Sequence, residues 1–348
     1  MSVTCPIPDN ITTAVEIAHG GGGRMTQRLI DEVFAPFFSN PYLDRQHDGA
    51  IMPASPEERI AMSTDTFVVH PLFFPGGNIG DLAVNGTVND LLCCGATPRW
   101  LSAAFVIEEG MSIDRLKEIV RSMSEAAKEA EVEIVTGDTK VVERGRCEGV
   151  YINTAGIGFV HPDLNLDPAN LREGDTVIIT GPIGRHGMAV MSVREGLEFA
   201  SSIKSDTASL CDIVNNLLDV APHLRVLRDP TRGGLSSTLN ELASSSGVSI
   251  EIDEEAVPVD PEVRSACELL GLDPFSVANE GLMIAVVPHE EAREALAAIR
   301  RSAHGHEAAI IGRVTARDPE GTRVWLRMPL GNRRIIEMLS GEQLPRIC

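Results

Sequence analysis

The chain ends in Pro345-Arg346-Ile347-Cys348, which puts a thiol on its last residue. A thiolate is a nucleophile and can carry a covalently attached group. Pro345 restricts its own φ and pushes the residue before it toward extended backbone, so the segment reads as a semi-rigid arm. Gly341 to Cys348, fully extended, would reach roughly 26–29 Å at about 3.3–3.6 Å per residue, enough to cross a cleft. A frayed terminus that happens to end in Cys is the plain alternative.

A second set of residues is acidic. Asp48, Asp65, Asp90, Asp138 and Asp229 each stand within or just beyond a strand-like run, in settings such as Ser-Thr-Asp-Thr and Thr-Gly-Asp-Thr-Lys. Carboxylates so placed suit Mg²⁺, which takes hard oxygen ligands and bridges phosphate oxygens. Any one of them alone could equally cap a helix or sit in a solvated loop. Lys140 and Arg232 stand close to two of them. Gly20, Gly21, Gly22 and Gly23 follow His19 without the Gly-Lys-Ser/Thr ending of a Walker A loop, so they read either as an anion-binding nest or as a linker. Glu280, in Ala278-Asn279-Glu280-Gly281-Leu282, precedes a strongly apolar strand and reads as a general base facing a cleft or as a turn residue.

The elements that would position these residues alternate. Strands are expected at 61–69, 105–107, 132–135 and 150–160, and helices at 80–94 and 114–130. The second helix carries Leu116, Ile119, Val120, Met123, Ala127 and Ala130 on one stripe. The polar, Pro-bearing stretch 160–173 reads as a boundary. Beyond it, strands are expected at 175–180, 248–252, 282–287, 308–314 and 323–328, and helices at 187–196, 232–245, 261–270 and 289–301. The expected organisation is a domain over 1–160, a second α/β domain over 170–330, and a tail over 331–348. Ile335, Ile336 and Leu339 suggest a short docked helix over 332–339, followed by a flexible arm.

With 348 residues the chain exceeds the usual size of one core, and 43% apolar residues with 4% aromatics fit an aliphatic α/β enzyme. Fifty acids against 30 basic residues leave a net charge of −20, which disfavours nucleic acid and anionic membranes as partners. Seven scattered cysteines without a C-x-x-C spacing fit free thiols in a cytoplasmic protein, with adjacent Cys93 and Cys94 as buried apolar residues. No signal peptide or membrane span is legible.

The motifs His19-Gly20-Gly21-Gly22, Ser63-Thr64-Asp65, Gly86-Thr87-Val88-Asn89-Asp90-Leu91, Thr136-Gly137-Asp138-Thr139-Lys140, Asp229-Pro230-Thr231-Arg232-Gly233-Gly234, Asn279-Glu280-Gly281 and the final tetrapeptide run nearly the length of the chain. Together they resemble the HypE family, carbamoyl dehydratases of [NiFe]-hydrogenase maturation, within the aminoimidazole-ribonucleotide-synthetase-like superfamily. The tetrapeptide is the specific element; the Asp and Gly motifs are shared with selenophosphate synthetases and thiamine-monophosphate kinases. The resemblance implies a two-domain α/β (α+β) fold that pairs as a homodimer, with ATP against Gly20, Gly21, Gly22, Gly23, Asp65, Asn89 and Arg232. It implies Mg²⁺ on Asp48, Asp90, Asp138 and Asp229. It further implies that HypF carbamoylates Cys348, that the chain dehydrates the carboxamide to a thiocyanate with ATP, and that cyanide passes to iron on a HypC–HypD scaffold. In that scheme Lys140 serves as a mobile cation and Glu280 as the base. Arg185 and Asp81 depart from the pattern expected of relatives. Two other readings stay open: an ATP-dependent enzyme of selenophosphate-synthetase type acting on a free small molecule, and a non-enzymatic thiol carrier.

Overall fold

The computed structural model describes residues 23, 24, 27, 31, 50–55, 58–196, 203–338 and 346–348. Gly20, Gly21, Gly22, Asp48 and arm residues 341–345 lie outside the described residues.

The first half builds one sheet. Strands β1 (Ala50–Ser55) and β2 (Glu58–Phe67) form its edge, a small hairpin of β3 (Phe73–Phe74) and β4 (Gly77–Asn78) follows, and β5 (Ala96–Glu108), β6 (Glu133–Val142) and β7 (Val150–Val160) complete the order β1-β2-β7-β5-β6. Strand β7 alternates buried and half-buried residues along its whole length, the period of a strand packed on one face only. That face meets helices α1 (Ile79–Cys93) and α2 (Ile113–Glu129). Helix α2 buries Ile119, Met123, Ala127 and Ala130 of the expected stripe, whereas Val120 is 46% exposed. Helix α1 is buried nearly all round, because it lies between the first sheet and the second half of the chain. Asp81 closes a capping box at its start: Asn78 accepts from Gly80 N–H, and Asp81 accepts from Asn78 N–H. Burial pushes that carboxyl up to about 6.

The second half is a seven-stranded sheet. In chain order it comprises β8 (Thr176–Ile179), α3 (Arg185–Arg194), α4 (Cys211–Leu218), β9 (Val226–Arg228), α5 (Gly234–Ser246), β10 (Ser249–Asp253), α6 (Pro261–Leu270), β11 (Ile284–Val287), α7 (Ala292–Arg301), β12 (Ala309–Thr315), β13 (Val324–Arg327) and β14 (Arg333–Ile336). The strands lie in the order β14-β13-β10-β12-β8-β11-β9, antiparallel except for β10 beside β13. One apolar cluster joins α1 and α2 to the face of this sheet carrying Ile178, Ala285 and Val287; a second, around Leu235, Leu239 and Ile252, fills the opposite face.

Two expectations fail. Residues 333–336 are a strand, not part of a helix: Val324 to Arg327 pair with them antiparallel, and adjacent β-branched Ile335 and Ile336 suit that partner. The expected tail from 331 therefore begins inside the sheet. The arm's end is not loose either. Ile347 is 2% exposed and belongs to the main apolar cluster, and Cys348 is buried.

Candidate functional site

The segment Asn279-Glu280-Gly281 is fastened from every side. Asn279 is fully buried; its side-chain oxygen accepts from Gly184 N–H (2.6 Å) and its amide donates to the Pro230 carbonyl (2.8 Å). The loop after β9 and the start of α3 are thereby tied to Glu280. A Cβ on Gly281 would lie 1.7 Å from the Asp206 carbonyl oxygen, so only glycine lets the backbone pass there. The Asp206 carboxylate accepts from the N–H groups of both Glu280 (3.3 Å) and Gly281 (3.2 Å). In the loop after β9, Gly233 and Gly234 both take positive φ (79° and 59°), and a Cβ on Gly234 would meet the Phe275 and Val277 carbonyls at 2.7 Å. These contacts explain why Asp229 and Arg232 come with two glycines.

The side chains so held converge. Glu280 is 4% exposed, its Oε2 lies 3.9 Å from where a Gly86 Cβ would stand on α1, and its Oε1 has no hydrogen-bond partner among the described residues. Burial raises its carboxyl well above the ordinary range, and the charges of Asp229, Asp65 and Asp206 add to that, against Arg232. Asp229 is raised by burial as well, with Arg228 opposing and Asp65 adding; its Oδ1 accepts from Cys93 Sγ at 3.8 Å. Asp65, raised by burial, is lowered by Arg232 and by its bond from Thr66 N–H (2.7 Å). Asp90, on α1, accepts from Ser63 Oγ of β2 at 2.6 Å. Arg232 stands at the solvent side of this group, and its charge is favoured first by Cys348 and then by Asp65, Glu280 and Asp90.

Cys348 completes the cluster. Burial pushes its thiol up to about 12; Glu280, Asp65 and Asp229 add to the rise, and Arg232 opposes it. The arm's last residues are held through their backbone. His70 N–H donates to the Arg346 carbonyl (3.3 Å) and Val68 N–H to the Cys348 carbonyl (3.2 Å), an antiparallel step continuing from β2. His186 Nε2 meets the Ile347 carbonyl at 2.8 Å, Arg194 Nη2 donates to the Arg346 carbonyl at 2.8 Å, and the Arg346 guanidinium pairs with Glu148. Arg346 itself has φ +52°, the left-handed region that a non-glycine residue occupies only under strain.

The structure thus brings together Cys348, Glu280, Arg232, Asp65, Asp90 and Asp229. It does not bring in Lys140 and Asp138, which pair with each other at 2.8 Å on β6 with 68% and 60% of their side chains exposed. Asp48 of the expected metal set lies outside the described residues, and Asp138 stands apart from the cluster; among the described residues no three His, Cys, Asp or Glu side chains stand in an arrangement ready to hold a metal ion. Asn89 is engaged within the chain. It is 2% exposed, donates to the Ala208 and Glu280 carbonyls and accepts from Leu210 N–H, which makes it a brace for the Glu280 backbone. Gly23, the one described glycine of its run, is buried and its carbonyl accepts from Gln27 N–H. Arg185 is spent on an ion pair with Asp260 (2.6 Å) and another with Glu307 (2.9 Å). Sequence reasoning missed Ser63, Asp206 and His186. A His between Arg185 and Gly187 at the entry of an apolar helix was the available signal for the last of these.

Models of the AIR synthase related proteins match residues 46–160 (N-terminal domain) and 172–324 (C-terminal domain), which defines the class. Carbamoyl dehydratase HypE of Azotobacter vinelandii is 50% identical over 335 residues, covering 96% of this chain and 97% of that protein. The crystal structure of a HypE in complex with ATP superposes with a TM-score of 0.80 at 47% identity, over 95% of this chain and 98% of that one. A HypE–HypF complex gives 0.84 at 47% identity, over 89% and 99%. The chain belongs to the HypE family of carbamoyl dehydratases. Among the described residues no helix is long and apolar enough to cross a membrane.

Proposed function

We propose that this chain, an ATP-dependent carbamoyl dehydratase by family, receives a carboxamide on Cys348 and converts it there to a thiocyanate that supplies cyanide to the iron of a [NiFe]-hydrogenase. The observation that carries the reading is the seating of Cys348 among Glu280, Arg232, Asp65 and Asp229. The transformation takes R–S–C(=O)–NH₂ to R–S–C≡N: oxygen leaves carbon and both protons leave nitrogen. Bound ATP supplies the phosphoryl group that makes the oxygen a good leaving group, and Mg²⁺ supplies charge neutralisation. Asp90 and Asp229, the members of the expected metal set that reach the cluster, would hold the metal ion. The fit lies in the carboxyl groups of Asp65, Asp90 and Glu280 acting on the Arg232 guanidinium, and in Glu280 Oε1, which has no hydrogen-bond partner among the described residues.

One proton passes from nitrogen to solvent when the oxygen is phosphorylated, and Glu280 is the base that takes the other as the phosphorylated oxygen departs. Its raised pKa gives it basicity once it is ionised, and the brace of Asn89, Asn279 and Asp206 holds it in place. Arg232 steadies the negative charge that develops as oxygen departs. The buried, protonated thiol of Cys348 cannot meet a macromolecular transferase in the seated pose, so the arm leaves to be carbamoylated and returns for dehydration.

HypF is the transferase partner, on the strength of the HypE–HypF complex of a relative. A HypC–HypD scaffold, a cytoplasmic setting and the domain limits 1–160 and 170–330 complete the reading. A homodimer is supported by Met62, Trp100 and Val106, which the first sheet leaves in solvent. Intact mass of the chain incubated with carbamoyl phosphate, HypF and ATP tests the whole. The expected record is gain of one carboxamide and then loss of one water; ATP turnover without that loss sinks it.

A further inference from the structure

Only one side chain of α3 reaches the arm's central carbonyl. His186 is fully buried, edge-on against the ring of Phe74 at 5.3 Å, and both its ring nitrogens are engaged. Nε2 lies 2.8 Å from the Ile347 carbonyl, which can only accept, so Nε2 carries the proton. Nδ1 of the neutral ring must then accept, and the Ser205 hydroxyl at 2.8 Å donates to it. Ser205 Oγ in turn accepts from Thr207 N–H (3.0 Å), which commits its own proton to the imidazole. Burial holds the ring neutral, its pKa pushed down to about 4. The tautomer is therefore fixed by a chain of donors that begins in the backbone and ends on the arm.

The same helix is tied to the base. Gly184 N–H donates to Asn279 Oδ1 (2.6 Å) and Gly187 N–H to the Ala278 carbonyl (3.0 Å), so the residues on either side of His186 are bonded to the two residues preceding Glu280. A displacement of α3 would move the arm's anchor and the base together, which keeps their separation constant.

We propose that His186 is the positioning residue that seats the C-terminal arm, holding the Ile347 carbonyl so that Cys348 stands beside Glu280 and Arg232. It touches neither the thiol nor the transferred group. The proposal rests on the carrier role of Cys348 for its effect on rate, but not for its effect on seating. Arg194 and the N–H groups of Val68 and His70 hold the carbonyls on either side; among the described residues, His186 alone supplies a side-chain donor to the carbonyl between them.

Two measurements on the full chain test this. The first is the rate at which iodoacetamide alkylates Cys348 at pH 8. The second is single-turnover loss of water from the carbamoylated chain with ATP, alongside ATP affinity. His186→Ala should alkylate about tenfold faster and dehydrate about tenfold more slowly, with ATP affinity unchanged, the size expected for one buried hydrogen bond. His186→Gln, which keeps an N–H donor at that reach, should recover part of both. Ser205→Ala removes the donor that pins the tautomer and should move both rates in the same direction as His186→Ala; it carries the test if the latter does not fold. Deleting Ile347 and Cys348 should abolish the effect of His186→Ala on the thermal midpoint. Wild-type alkylation and dehydration in the folded His186→Ala or Ser205→Ala chain overturn the proposal. A wild-type chain that takes no carboxamide defeats the carrier reading instead, and alkylation still decides whether His186 seats the arm.

Discussion

The thiol of Cys348 should be the least reactive cysteine of its kind while the arm is seated. Its ordinary pKa of 9.0 is pushed up to about 12, first by burial and then by Glu280, Asp65 and Asp229, against Arg232. At pH 8 an ordinary thiol is about one part in ten thiolate, and a seated one about one part in ten thousand, so alkylation through the seated pose should be roughly a thousandfold slower. Because the seated value lies above the released one, seating binds the proton more tightly. Its stabilisation is complete below about pH 9 and is lost as pH rises from 9 toward 12, by about 4 kcal/mol over the whole window. The assay is the alkylation rate of Cys348 in the intact protein from pH 7 to pH 10.5, read by mass on the C-terminal peptide. The isolated peptide spanning residues 341–348 provides the reference. A strongly suppressed rate that climbs steeply above pH 9 is expected. A Cys348 that reacts at the peptide's rate, with the peptide's midpoint, would falsify both the seating and the electrostatics derived from it.

Glu280→Gln should keep ATP binding and accept a carboxamide, yet form thiocyanate at least about a hundredfold more slowly; wild-type formation rates eliminate Glu280 as the base. Asp90→Asn should weaken metal-dependent ATP use while the fold survives, which turnover at limiting Mg²⁺ measures. Removing Ile347 and Cys348 should lower the thermal midpoint, because a buried Ile is worth about 2–4 kcal/mol; an unchanged midpoint places Ile347 outside the core. His186 is held neutral down to about pH 4 while the unfolded chain protonates it near 6.5, so stability should fall as pH drops from about 6.5 to about 4, by about 3.4 kcal/mol at most. His186→Gln should flatten that part of the pH profile, and an unaltered slope in denaturation midpoints refutes the assignment.

Most elements were legible where periodicity and punctuation agreed. Helix α2 has one apolar stripe, and α6 starts at Pro261 and stops at Gly271. Strand β5 was read only at 105–107 because Pro98, Ser102, Ala103 and Ala104 carry little strand preference. Pairing with β7 and β6 on its two sides extends it to 96–108. Ile335 and Ile336 fitted both periods, and only the partner β13 decides for a strand. In the site, Glu280, Asp229 and Arg232 stood out because glycines mark their loops, and Cys348 because it is the last residue. Lys140 and Asn89 stand apart from the cluster within this chain, and a motif does not say where a side chain points. Seating of the arm was invisible, since backbone carbonyls make its bonds and they carry no residue signature.

The left-handed turn at Arg346 bears on how long the arm stays. A non-glycine residue there opposes the seated pose by about 1–2 kcal/mol, a factor of roughly 5–30 in residence time. Arg346→Gly would relieve it and also remove the pair with Glu148, whereas Arg346→Asn would relieve part of the strain. On the carrier reading, an arm that visits a transferase, returns and then surrenders its cargo is limited by departure as much as by arrival. A built-in bias toward leaving keeps one step of that circuit from stalling the others.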